Sequence, residues 1–85
     1  MKFTRYFLYT RQRPDRSAIR LDWIEQAVSD AVETRVQQDG RIRKWVYVEE
    51  MNRYLRVILL EDGETVHNVF FDRNYRGPGH EDQVL

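Results

Sequence analysis

The chain has 85 residues, 41% of them hydrophobic and 13% aromatic, with no cysteine and a formal net charge of zero. That length supports one hydrophobic core and is too short for two, and the missing thiols exclude disulfides and thiolate zinc sites. Charge balance argues against an indiscriminate nucleic-acid binder, and no segment approaches the roughly 20 apolar residues that span a bilayer.

The N-terminal MKFTRYFLYT lacks a continuous apolar run with a small-residue cleavage site, so a cytoplasmic protein without membrane association is expected. Neutrality hides an asymmetry. Residues 1 to 47 hold ten Lys/Arg against six Asp/Glu, and residues 48 to 85 hold four against eight. Six basic residues fall in two clusters, Arg11/Arg13/Arg16 and Arg41/Arg43/Lys44, which makes a local cationic patch the expectation if the first half lines one face.

In chain order, the aromatics and threonines of residues 3 to 10 favour an extended segment, although Phe3 and Phe7 would also stack on one side of a helix. RQRPDRSAIR reads as a loop, because Pro14 disfavours helical geometry at Arg13. Leu21, Ile24, Ala27, Val28 and Ala31 have helical spacing, with Asp22 and Glu25 in the first turn, and predict a helix from Leu21 to about Val32. VETRV loses that period, and QQDG supplies a turn.

Beyond Gly40 the period becomes two. Ile42 to Val48, Tyr54 to Leu60 and Thr65 to Phe71 predict three strands with short connections. NYRGPGHEDQVL, rich in glycine and poor in apolar residues, reads as a loose tail. The expectation is an α+β fold: one main helix packed on an antiparallel three- to four-stranded meander sheet, with a compact domain at 1–76 and a flexible tail at 77–85.

A two-residue turn at Asp62-Gly63 would set Leu60 opposite Thr65, Leu59 opposite Val66, Ile58 opposite His67, Val57 opposite Asn68 and Arg56 opposite Val69. One face then carries Leu55, Val57, Leu59, Val66, Asn68 and Phe70, and the helix is expected to cover it. The other carries Tyr54, Arg56, Ile58, Leu60, Thr65, His67, Val69 and Phe71, with Arg56 and His67 as diagonal neighbours. Glu61 opposite Glu64 is unfavourable in this register and leaves a longer loop as the alternative. A lone histidine on a strand is more often structural than catalytic, and Asp72-Arg73 at a strand end is more often a local ion pair or cap than a dyad.

No glycine-rich phosphate loop, nucleophile elbow or zinc-ligand set occurs, and no metal or other cofactor is expected. What survives is chemistry that needs positive charge and a proton shuttle. Cleavage of RNA by its own 2′-hydroxyl is such a reaction, since the substrate supplies the nucleophile.

The order of a helix followed by an antiparallel sheet with basic residues on its open face resembles small bacterial ribonuclease toxins of the RelE and BrnT kind. WIEQAV, QQDGRIRKW and YLRVILLEDGETVHNVFFDR are similar to a family of short uncharacterised bacterial proteins associated with that group, over roughly residues 6 to 76. The resemblance implies a metal-independent endoribonuclease with RNA as substrate and an antitoxin protein as partner. It points to Arg56, His67, Asn68, Asp72 and Arg73, and to the loop from Arg13 to Arg16. In that reading Arg56 and Arg73 hold phosphate, His67 moves protons and Tyr54 positions a base, while Arg13, Arg16, Arg41, Arg43 and Trp45 bind substrate. The competing expectation is an interaction module that uses Trp45, Tyr47 and Tyr54 as aromatic anchors for a protein partner or for a homodimer.

Overall fold

The computed structural model describes residues 1–79. The fold is α+β, but the sheet has five strands and is mixed, and three short helices replace the single main helix. Strands β1 (Lys2–Phe3), β2 (Glu33–Val36), β3 (Ile42–Val48), β4 (Arg53–Leu59) and β5 (Thr65–Phe71) lie in the order β1-β5-β4-β3-β2. Strands β2 to β5 form an antiparallel meander, and β1 joins β5 in parallel through Lys2↔Thr65 and Phe3↔Val66.

The first ten residues are mostly helical rather than extended. After β1, Thr4 caps α1 (Arg5–Thr10), its hydroxyl oxygen accepting the Phe7 amide at 3.0 Å. Phe3 and Phe7 stack at 5.1 Å, so one aromatic pair staples strand to helix. The expected loop that follows contains a one-turn helix α2 (Pro14–Ser17), in which Pro14 occupies the first turn and its missing N–H costs nothing.

Helix α3 (Leu21–Ser29) is shorter than its apolar period suggests. Asp30 leaves helical geometry at φ −146°, and the chain turns directly into β2, a strand that the loss of helical period at VETRV concealed. Trp23, Ile24 and Ala27 face the sheet, and Ala27 is fully buried, which lets the helix approach closely. Beneath them lie Val46, Val48, Leu55, Val57, Leu59, Val66 and Val69, with Phe7 and Ile19 closing the side. Fully burying such an aliphatic side chain contributes about 1.5–3 kcal/mol.

The β4–β5 hairpin begins as expected and then departs. Leu60 N–H donates to Thr65 C=O at 2.9 Å, and Leu59 faces Val66. The loop is longer than two residues: Gly63, at φ 70°, donates to Leu60 C=O, and Asp62 accepts the amides of Glu64 and Thr65, so Glu61 and Glu64 need not face each other. A β-bulge then shifts the register between Ile58 and Leu59. Ile58 pairs with Asn68, Val57 with Val69, Arg56 with Phe70 and Leu55 with Phe71. The extra residue reverses the downstream half of β5, sending Val69 and Phe71 to the core and Asn68 and Phe70 to the other face. The expected placement of those four residues is thereby inverted.

Candidate functional site

The face of the sheet away from α3 carries the polar and cationic side chains. From β3 come Arg43 and Trp45, from β4 Tyr54, Arg56 and Ile58, and from β5 His67, Asn68 and Phe70, with Arg35 of β2 opposite Arg43. The residues after β5 fold back over one end. Tyr75 is 7% exposed and stacks on Trp45 at 4.6 Å and edge-on against Tyr54 at 4.9 Å. Gly77, at φ 108°, passes so close that a Cβ there would sit 2.9 Å from the Tyr54 hydroxyl. The segment after Arg73 is thus partly packed, and the expected tail from residue 80 onward lies outside the described residues.

Under Tyr75 is a half-dry polar network. One oxygen of Asp72 accepts Trp45 Nε1–H at 3.0 Å and Arg56 at 3.2 Å, and its other oxygen accepts the Asn74 amide at 3.1 Å. The Arg56 guanidinium also lies 5.5 Å from the Trp45 ring centre and 5.2 Å from that of Phe70. Side-chain exposure of this ion pair is only 17% for Arg56 and 9% for Asp72. Glu33 accepts from Arg35 at 2.5 Å and from the Tyr75 hydroxyl at 2.6 Å. Those two donors, Tyr75 first, hold Glu33 below the usual carboxylate range, while burial and then the Glu33 bond push the Tyr75 hydroxyl far above the usual tyrosine range.

His67 sits elsewhere. Its Nδ1 lies 3.1 Å from Thr4 Oγ1, and its ring stacks on Tyr6 of α1 at 4.9 Å. No hydrogen bond reaches its Nε2 among the described residues. Burial, then the charge of Arg41, holds the imidazole below its usual pKa and therefore neutral at pH 7. Arg56 and His67 are not diagonal neighbours, as the unbulged register would have made them: Ile58, Asn68 and Phe70 stand between them. The bulge does, however, keep His67 and Asn68 together on the open face.

The remaining candidates scatter. Arg16, from α2, donates to Asn68 Oδ1 at 2.8 Å and Val69 C=O at 3.1 Å, and so closes the β5 edge. Arg13 is exposed at the start of α2, Arg73 is exposed beyond β5, and Trp45 is buried at 2%. Burial of Trp45 removes it as an open aromatic anchor or as a base-stacking surface. Arg43 lines a groove of about 500 Å³ with Arg35, Gln37 and Asp39, and Arg41 lies at the neighbouring hairpin end, 3.8 Å from Asp39. Two buried atoms of that groove's lining residues, Arg43 Nε and Gln37 Oε1, have no hydrogen-bond partner among the described residues.

The structure adds Thr4, Tyr6, Tyr75, Glu33 and Gln37 to the residues read from sequence. Tyr75 had a visible signal, as an isolated aromatic in a glycine-rich stretch. Thr4 and Tyr6 had none, because their role depends on β1 pairing with a strand more than sixty residues away. Among the described residues no group of three or more His, Cys, Asp or Glu side chains could hold a metal ion, and no helix is long and apolar enough to cross a membrane. No family model, curated protein or solved structure matches the chain.

Proposed function

We propose that this protein is a toxin-like endoribonuclease of the metal-independent class that engages RNA across its open sheet face, with His67 as the proton-transfer group. The observation that carries the reading is the setting of His67: one ring nitrogen engaged by Thr4, the ring stacked on Tyr6, and the other nitrogen without a partner among the described residues. An oriented neutral imidazole is what proton abstraction near neutral pH requires.

In the competent tautomer Nδ1–H donates to Thr4 Oγ1, which leaves the lone pair on Nε2. Nε2 takes the proton of a ribose 2′-hydroxyl, the 2′ oxygen attacks the adjacent phosphorus, and the 5′ oxygen leaves with a proton from water. The products are a 2′,3′-cyclic phosphate and a 5′-hydroxyl. Arg43, on the wall of the groove, and Arg41 supply the positive charge that holds the backbone. Resemblance to the RelE and BrnT toxins supports the same reading.

Roles shift from those read in the sequence. Arg56 and Tyr54 build the wall of the face through Asp72 and Tyr75 and do not meet His67. Incubating the purified chain with single-stranded RNA in excess chelator tests the proposal. Expected are 2′,3′-cyclic phosphate ends, loss of about 10²–10⁴-fold in rate in His67→Ala, and weaker RNA binding in Arg43→Ala at unchanged product chemistry. A folded wild-type chain that neither binds nor cuts RNA, or a His67→Ala variant that cuts as fast, overturns it.

A further inference from the structure

The two edges of the sheet are finished differently. On the β5 side, β1, α1 and Arg16 cover the strand. On the β2 side the sheet order ends, and no described residue pairs with the outer edge. With its preceding residue, that strand reads Val32, Glu33, Thr34, Arg35, Val36.

Two contacts set its backbone polarity: Val32 N–H donates inward to Trp45 C=O at 2.8 Å, so the outward-facing groups begin at Thr34. Gln37 N–H donates to Arg41 C=O at 2.7 Å, continuing the register in which Val36 faces Ile42. Mutually bonded positions recur every second residue in an antiparallel ladder, so Glu33 and Arg35 direct their N–H and C=O to β3. Thr34 and Val36 therefore turn theirs outward. Val36 within the strand and Val32 just before it are apolar yet 71% and 43% exposed.

We propose that this edge pairs with the same edge of a second copy, antiparallel about a two-fold axis through Thr34, giving one continuous sheet across both protomers. The segment is self-complementary about that residue. Thr34 meets Thr34, and Glu33 meets Arg35 of the other copy, a cross-chain neighbour added to the ion pair the two already make within a chain; Val32, its N–H turned to Trp45, lies at the end of the ladder beside Val36 of the other copy. Parity agrees: Thr34, with outward backbone groups, forms the mutually bonded central pair, and the charged residues fall at the closer, non-bonded positions.

Neighbouring registers fail. Centring on Glu33 or on Arg35 opposes like charges, and a one-residue slip opposes outward-directed with inward-directed backbone groups. Edge strands commonly carry charge to deter pairing, but here the charges are complementary under the two-fold operation.

Sedimentation equilibrium on the full chain tests this, with twice the 10.4 kDa chain mass expected as concentration rises. Thr34→Pro removes an outward N–H and leaves the bonds to β3 intact, so it should yield monomer. Arg35→Glu sets acid against acid twice and should weaken dimerisation about tenfold; adding Glu33→Arg should restore it. Because the chain has no cysteine, Thr34→Cys supplies a single thiol that a short bifunctional reagent should bridge between copies. Tyr9→Cys, exposed on α1, should not be bridged. A wild-type chain that stays monomeric at every concentration, or a dimer indifferent to both Thr34→Pro and Arg35→Glu, overturns the proposal. Should Thr34→Pro fail to fold, absence of bridged Thr34→Cys dimer overturns it, and a folded double variant that stays monomeric overturns the register.

Discussion

The two faces of this sheet are built on different physics. Under α3 the contacts are apolar and non-directional: Leu55, Val57, Leu59 and Val66 are completely buried, and each is replaceable in principle by any side chain of similar volume. On the open face, order comes from directional groups that satisfy one another, Asp72 with Trp45 and Arg56, Glu33 with Tyr75 and Arg35. One side stabilises by area; the other specifies by geometry. A protein with a functional face needs the second kind of order, because it fixes side chains without sealing all of them from solvent.

Mutations can sharpen that contrast. Leu55→Ala should give the largest loss, about 3 kcal/mol in urea unfolding, since it removes a fully buried side chain under a helix that cannot collapse into the gap. Asp72→Ala should cost about 2 kcal/mol, less than a fully buried pair would because Arg56 keeps some access to water. Asp72→Asn, which retains an acceptor for Trp45 Nε1–H, should recover part of this. If Asp72→Ala proved neutral, the open face would not be ordered by its polar network.

The smallest effect is expected at His67. Its native pKa lies below the unfolded value of 6.5, so the folded state binds fewer protons than the unfolded state near that pH. The linked stability is complete above 6.5 and is lost as pH falls through the native value. Urea midpoints measured on either side of pH 6.5 should therefore show a decline on acidification that His67→Gln reduces.

Much of the core was legible. The period-two runs of β3, β4 and β5 and the helical period of α3 each carry their own signal in a handful of apolar residues. What escaped was set by partners distant in the chain. Residues 5 to 10 have aromatic and threonine content that suits a strand, yet the Thr4 cap and the Phe3–Phe7 stack make them a helix. Strand β2 is four residues long with one face exposed, so alternation there looks like irregular sequence. The bulge is the instructive case: adjacent polar residues His67 and Asn68 interrupt strict alternation, and a regular ladder would have buried one of them. Of the site, the residue types were legible and their grouping was not, because a single extra residue in β5 separates Arg56 from His67.

Pairing of β1 with β5 carries a consequence for how the site comes into being. Thr4 reaches His67 across 63 positions of sequence, so the contact that aligns the imidazole is among the most expensive to close entropically. Local hairpins can form while the ring still rotates freely. On the proposed function, proton transfer would begin only when the opening residues return to the last strand, and a fragment lacking residues 1–4 would be inert even where it retains a folded meander.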